Sequence, residues 1–248
     1  MKIDAHVRIG ASREASLSVN ELLSTMDALG IDRALVAPSE GQIAYANREG
    51  NAATAAAAAH SGGRLAAYAV ATPWRQDALD ELARARDAGA VALALDPVLQ
   101  GFDVLDGLAD PLIEFAAAAG WPVYIRTGTP PTALPLPVAS LARRFPQTAF
   151  VMGRSGATDF WIDAAPALLH ADNLYADTSY APWDTVLSEF ARDPRIGTGR
   201  VIFATDAPYT VPAAELQRVL DWRSAEAERA AILGGTLARL TAFASSHI

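Results

Sequence analysis

Eight short apolar runs recur along this chain, each followed by a longer amphipathic or alanine-rich stretch. The runs are Lys2–Val7, Arg33–Ala37, Leu65–Ala71, Ala90–Leu95, Pro122–Arg126, Ala149–Met152, Leu174–Asp177 and Val201–Thr205. Apolar residues fall on both faces of them. Such strands suit a parallel sheet covered by helices, because both sides must then be buried. Eight strand–helix units in 248 residues predict a single (β/α)8 TIM barrel, an α/β fold of about 250 residues. An open doubly wound sheet shares the same alternation. No linker, internal repeat or charge block divides the chain, so residues 1–248 read as one domain.

The intervening segments carry helix punctuation. Ser18-Val19-Asn20-Glu21 fits a capping box, and Gly30 closes that helix. Asp110 reads as an N-cap followed by Pro111 at the first helical position, with Gly120 as the stop. Gly89 ends a helix that begins near Gln76. A final, extra helix is expected over Ala225–Ala244. The proline-rich segment Thr127–Pro137 reads as a stiff loop after the fifth strand, which in a barrel lies on the active-site face.

Composition removes several function classes. Without cysteine there is no disulfide scaffold, thiolate zinc site or cysteine nucleophile. Twenty basic against 28 acidic residues give a net charge of −8, which argues against a nucleic-acid partner. The start of the chain lacks the pattern of a signal peptide. The longest bland stretch, Ala55–Ala59, is far too short to span a bilayer, so a cytoplasmic protein with no membrane partner is expected. Gly-x-Ser-x-Gly, Gly-x-Gly-x-x-Gly and P-loop patterns are absent.

In a barrel, chemistry collects where strands end. Those ends hold His6 and Arg8, then Asp96, Arg126, Arg154, Asp177 and Asp206. Nearby aromatic residues, Trp74, Trp161, Tyr180, Trp183 and Tyr209, are candidates either for pocket walls or for ordinary packing.

Several motifs, in order and nearly end to end, resemble the amidohydrolase-related family, the branch with decarboxylases and lactonases. Ile3-Asp4-Ala5-His6-Val7-Arg8 resembles its first-strand Asp-x-His-x-His motif. Leu95-Asp96-Pro97 with Gln100-Gly101-Phe102 resembles the fourth-strand signature. Pro122-Val123-Tyr124-Ile125-Arg126-Thr127-Gly128 resembles the fifth-strand Pro-Val-x-Ile-His-Thr-Gly, and Gly153-Arg154-Ser155-Gly156 the sixth-strand Gly-His-x-Gly. Asn173–Ser179 and Phe203–Pro208 match the last two strands. The resemblance implies the barrel, hydrolysis or decarboxylation, and often a homodimer.

The departures carry as much information. The family binds a divalent metal with two first-strand histidines, the fifth-strand histidine and the eighth-strand aspartate, and uses the sixth-strand histidine in catalysis. Here those positions hold His6, Arg8, Arg126, Asp206 and Arg154, and the fourth-strand Lys and His positions hold Ala94 and Asp96. A guanidinium has no lone pair for a cation. A residual site of His6, Asp96 and Asp206 would bind metal weakly, so no metal and no cofactor are expected. Arg8, Arg126 and Arg154, with Asp96, are the expected substrate-binding set, and the expected partner is a small anion, foremost a carboxylate. Internal pairing of some arginines with Asp96, Asp177 or Asp206 is also expected.

Asp206 and His6 are the expected catalytic residues. The resemblance makes Asp206 the base that takes a proton from water. Arginine neighbours lower its pKa while burial raises it, and a purely structural pairing with Arg154 or Arg8 is the alternative. His6 fits a proton shuttle, an orienting partner of Asp206, or a hydrogen-bonded core histidine. Three activities fit this set. The first is metal-independent hydrolysis or decarboxylation of a carboxylated metabolite. The second is a non-hydrolytic cyclase, dehydratase or isomerase. The third is anion binding without turnover.

Overall fold

The computed structural model describes residues 1–157, 159–180, 188–190 and 193–241. Eight parallel strands form the barrel: β1 (Ile3–Arg8), β4 (Arg33–Ala37), β5 (Leu65–Ala69), β6 (Ala92–Leu95), β7 (Val123–Arg126), β8 (Phe150–Gly153), β9 (Leu174–Asp177) and β10 (Val201–Ile202), paired in that order. Two short antiparallel strands, β2 (Gly10–Ala11) and β3 (Ser16–Leu17), follow β1. The ring closes where Val7 bridges Ala207, with Ala5 N–H donating to Phe203 O at 3.0 Å and Arg8 N–H to Ala207 O at 2.8 Å.

The expected barrel is therefore the observed one. Ser18 and Glu21 form the reciprocal cap of the helix Val19–Leu29, and Gly30 ends it in the left-handed region at φ 62°. Leucine, isoleucine and valine fill the layer between strands and helices. A second cluster, with Ile3, Ala5, Leu35, Val70, Tyr124 and Ile202, fills the barrel interior. The bore is thus a packed core rather than a pore. No helix among the described residues is long and apolar enough to cross a membrane.

Several expected boundaries move by a few residues, the last strand ending at Ile202 rather than Thr205, and four of the shifts have a local reason. The helix read from Asp110 starts at that residue, with Ala109 as its cap, and the Asp110 carboxylate turns to Arg144 instead of capping. The fifth β5 residue, Ala69, is its last, because the Asn51 side chain takes both the N–H and the C=O of Val70. The loop after β7 stops at Leu134, since Pro135 already opens the helix Pro135–Arg144. The final helix is broken into Glu226–Ala230, a wide turn over Ala231–Gly235, and Thr236–Leu240. At the break Gly234 packs against β1, where a Cβ would lie 2.7 Å from Met1 O. The rest of the expected Ala225–Ala244 lies outside the described residues.

Candidate active site

Strand β1 supplies the first two side chains. Ile3 and Ala5 belong to the interior cluster and Val7 to the outer one, and the β1–β4 register shifts between Asp4 and Val7. A shift of this kind re-aims side chains at a strand end. His6 consequently stacks on the interior residue Tyr124, ring centroids 4.2 Å apart and planes 4° from parallel. Gly153 makes room for that ring, because a Cβ there would lie 2.3 Å from Tyr124 Cζ.

Barrel closure brings His6 against Asp206. The Asp206 N–H donates to His6 O at 3.0 Å, and Asp206 sits in the left-handed region at φ 54°. Its Oδ1 lies 3.0 Å from His6 Nδ1, and its Oδ2 accepts from Arg154 Nε at 2.7 Å with Nη2 in ion-pair contact at 2.6 Å. Both His6 and Asp206 are buried. Burial alone would raise the Asp206 carboxyl, but the Arg154 guanidinium, the His6 hydrogen bond and Arg8 outweigh it and hold it at about 2. Burial also dominates at His6, lowering its pKa despite Asp206, so the imidazole is neutral at pH 7. A carboxylate only accepts, so the proton of this neutral ring sits on Nδ1.

The second pair spans the mouth. Arg8 Nη2 donates to Asp96 Oδ2 at 2.5 Å, and Asp96 Oδ1 caps the short helix Pro97–Gln100 through Leu99 N–H. Burial opposes the Asp96 charge, yet Arg8 and Arg126 together lower its pKa. Arg126 differs from both other arginines. It has no hydrogen-bond or ion-pair partner among the described residues, and burial with Arg154 and Arg8 nearby lowers its pKa, against the pull of Asp96.

These groups surround a cleft of about 300 Å³ lined by Arg8, Asp96, Arg126, Arg154, Tyr180 and Tyr209, with Glu14 and Glu40 also in its lining. Arg154 lies over the Tyr180 ring at 4.6 Å, and Tyr209 donates its hydroxyl to Glu40 at 2.9 Å. His6 is not in that lining. It lines a narrow inner void with no room for a water molecule, which shares Arg8 and Asp96 with the cleft.

All six expected site residues, His6, Arg8, Asp96, Arg126, Arg154 and Asp206, therefore gather at one end of the barrel. Tyr180 and Tyr209 wall the cleft, whereas Trp74 is half exposed and Trp161 packs against the outer core. Trp183 lies outside the described residues. Sequence reasoning assigned no role to Tyr124, whose only signal was its inward place in β7. The expected internal pairing forms at Asp96 and Asp206, whereas Asp177 takes the backbone N–H of Arg154.

The family model for amidohydrolases matches residues 3–241. The chain belongs to the amidohydrolase family. No curated protein is significantly similar to this amidohydrolase in sequence. Solved structures share its fold at low identity. An uncharacterized TIM-barrel protein of Bordetella bronchiseptica is 19% identical with a TM-score of 0.79, over 98% of this chain and 99% of that one. The 5-carboxyvanillate decarboxylase of Sphingomonas paucimobilis is 17% identical with a TM-score of 0.76, over 96% and 98%. A probable 2-pyrone-4,6-dicarboxylic acid hydrolase of Acinetobacter baumannii, solved with citric acid bound, is 16% identical with a TM-score of 0.70, over 98% and 99%.

A divalent metal, implied by the family resemblance, does not fit the donor set of this amidohydrolase. Arg8 and Arg126 stand at two of the four ligand positions and offer no lone pair. Both oxygens of Asp206 are taken by His6 and Arg154. Among the described residues no group of three or more His, Asp or Glu side chains is placed to hold a metal ion.

Proposed function

We propose that this amidohydrolase binds a small carboxylated metabolite on Arg126 and hydrolyses a lactone or amide bond in it without a resident metal ion. One observation carries the reading. Arg8 and Arg154 are neutralised by Asp96 and Asp206, whereas Arg126 lines the same cleft with no partner among the described residues. A guanidinium that no described residue pairs with favours an anionic guest, and a carboxylate matches its planar fork. At about 300 Å³ the cleft stands at the small end of ligand pockets. The relatives named for 5-carboxyvanillate and 2-pyrone-4,6-dicarboxylic acid support a single-ring acid.

His6 and Asp206 supply the chemistry. With Nδ1–H directed to Asp206, Nε2 carries the free lone pair, as in the histidine–aspartate pair of acyl-transfer enzymes. His6 takes a proton from water as the water oxygen bonds to the substrate carbonyl carbon. The carbon–oxygen or carbon–nitrogen bond then breaks, and the proton passes to the leaving atom. Asp206, too acidic to act as the base itself, orients His6 and stabilises the imidazolium. Arg8 and Arg154 face the developing oxyanion. His6 lies beneath the Arg8–Asp96 pair, so turnover requires that pair to part.

A second reading is decarboxylation, favoured by the decarboxylases among the structural relatives. Turnover of carboxylated lactones and amides in oxygen-18 water separates the two. Hydrolysis places one solvent oxygen in the product, whereas carbon dioxide release without it selects decarboxylation. Asp206→Asn is expected to abolish turnover and leave carboxylate binding in place. Arg126→Met is expected to weaken binding itself. Retained turnover in Asp206→Asn, or unchanged binding in Arg126→Met, would sink the corresponding role.

A further inference from the structure

We propose that Asp177 is the positioning residue of this site: by holding the Arg154 backbone in a left-handed conformation, it aims the Arg154 guanidinium at Asp206. Arg154 and Ser155 follow β8 directly and take φ values of 61° and 47°. Side chains other than glycine rarely adopt that region, and such residues persist only where surrounding bonds over-determine them. Asp177, the last residue of β9, provides those bonds. Its Oδ1 accepts from Arg154 N–H at 2.8 Å, from Ser179 N–H at 3.1 Å and from the Ser179 hydroxyl at 2.9 Å. Its backbone carbonyl accepts from the Ser155 hydroxyl at 2.6 Å.

The other oxygen serves the second partner of Asp206. Tyr124 OH lies 2.9 Å from Asp177 Oδ2, and the Tyr124 ring is the one stacked on His6. One buried carboxyl thus fixes the strand end that carries Arg154 and the ring that supports His6. Both of those groups end on Asp206. Asp177 is not itself in the cleft lining and makes no hydrogen bond to Asp206, so it acts on the site through Arg154 and Tyr124. Burial and the charge of Asp206 keep its carboxyl protonated at neutral pH, pushed up to about 8. Asparagine is therefore its close mimic: the amide oxygen meets the three donors and the amide nitrogen meets the Tyr124 hydroxyl. This role holds whatever substrate the cleft takes.

The test reads the Arg154 Nε–H, which the bond to Asp206 protects from solvent exchange. In nitrogen-15 spectra of the full chain, a slowly exchanging arginine Nε–H is expected, assigned by its loss in Arg154→Lys. Asp177→Ala should lose this signal and Asp177→Asn should keep it. General destabilisation lowers the denaturation midpoint without selectively erasing that one signal. Retention of the signal in a folded Asp177→Ala, or its loss in Asp177→Asn, would overturn the proposal. A measurement on the unsubstituted protein removes dependence on the alanine variant folding. A coupling across the hydrogen bond, from the Arg154 backbone nitrogen to the Asp177 side-chain carbonyl carbon, is expected, and its absence would also overturn the proposal.

Discussion

Arg8 and Asp96 face each other across the barrel mouth, Nη2 to Oδ2 at 2.5 Å, with 5% of each side chain exposed. The strand ends of β1 and β6 thereby form one buried ion pair. It lines both the open cleft and the narrow inner void in front of His6. Arg8 Nε, also buried, has no hydrogen-bond partner among the described residues.

Breaking that pair should cost more than removing it whole. Arg8→Met leaves the Asp96 charge buried and unpaired, an expected loss of about 3–5 kcal/mol. The double variant Arg8→Met, Asp96→Leu should recover most of it, because both desolvation costs disappear together. Urea denaturation of the single and double variants gives the cycle. A double variant no more stable than Arg8→Met alone would count against this account.

Arg126 predicts the opposite sign. It is a partly desolvated cation without a partner among the described residues, so Arg126→Met should leave the thermal midpoint unchanged or raise it. Small carboxylates should stabilise the wild type and lose at least about tenfold in affinity in the variant, the scale of one charged hydrogen bond. Thermal shift with calorimetry measures both, and a lowered midpoint would show a partner in the folded chain.

Gly153 should not tolerate a methyl group. A Cβ at that position would lie 2.3 Å from both Cζ and the hydroxyl oxygen of Tyr124. The ring must move, which loosens its stack on His6 and its bond to Asp177. Gly153→Ala should destabilise by about 1–3 kcal/mol, the usual cost of overpacking. Chemical denaturation checks this, and a neutral substitution would mean that the ring has room to shift.

Stability should fall as pH rises from about 6.5 to about 8.5. Burial pushes Asp177 up to about 8 and Asp4 and Glu215 up to about 7. In that window the folded protein holds protons that the unfolded chain has released, so the unfolded state gains as pH rises. His6 works the other way, but its lowered pKa affects stability only below its ordinary 6.5. Asp206, held at about 2, contributes stability that is lost only as pH falls below its ordinary 3.8. The denaturation midpoint across the window tests the slope, and Asp177→Asn should flatten its upper part. A midpoint that rises with pH would contradict the burial of these carboxyls.

Much of this protein is legible in one dimension. Apolar runs with two buried faces made the eight strands readable, because backbone pairing and burial are repeated locally at every strand. Ser18, Glu21 and Gly30 marked a helix through bonds that span only a few residues. The six candidate site residues were readable as polar groups ending apolar strands, since a barrel brings all such ends to one mouth.

Which of those groups answers which is a different kind of fact. Asp206 pairs with Arg154 rather than Arg8, Asp96 takes Arg8, and Arg126 is left over among the described residues. Each choice depends on a few ångströms between strands 50 or more residues apart in the chain. The register shift in β1 and the left-handed turn at Arg154 set those distances. Burial then decides the charge states: Asp206 stays ionised beside a guanidinium, while Asp177, equally buried but bonded to neutral donors, keeps its proton. Composition and pattern determined the barrel and the residues at its mouth. Only closure of the barrel decided which arginine is left without an ion-pair partner among the described residues, because Coulomb energy and desolvation depend on three-dimensional distance and water exclusion, not on spacing along the chain.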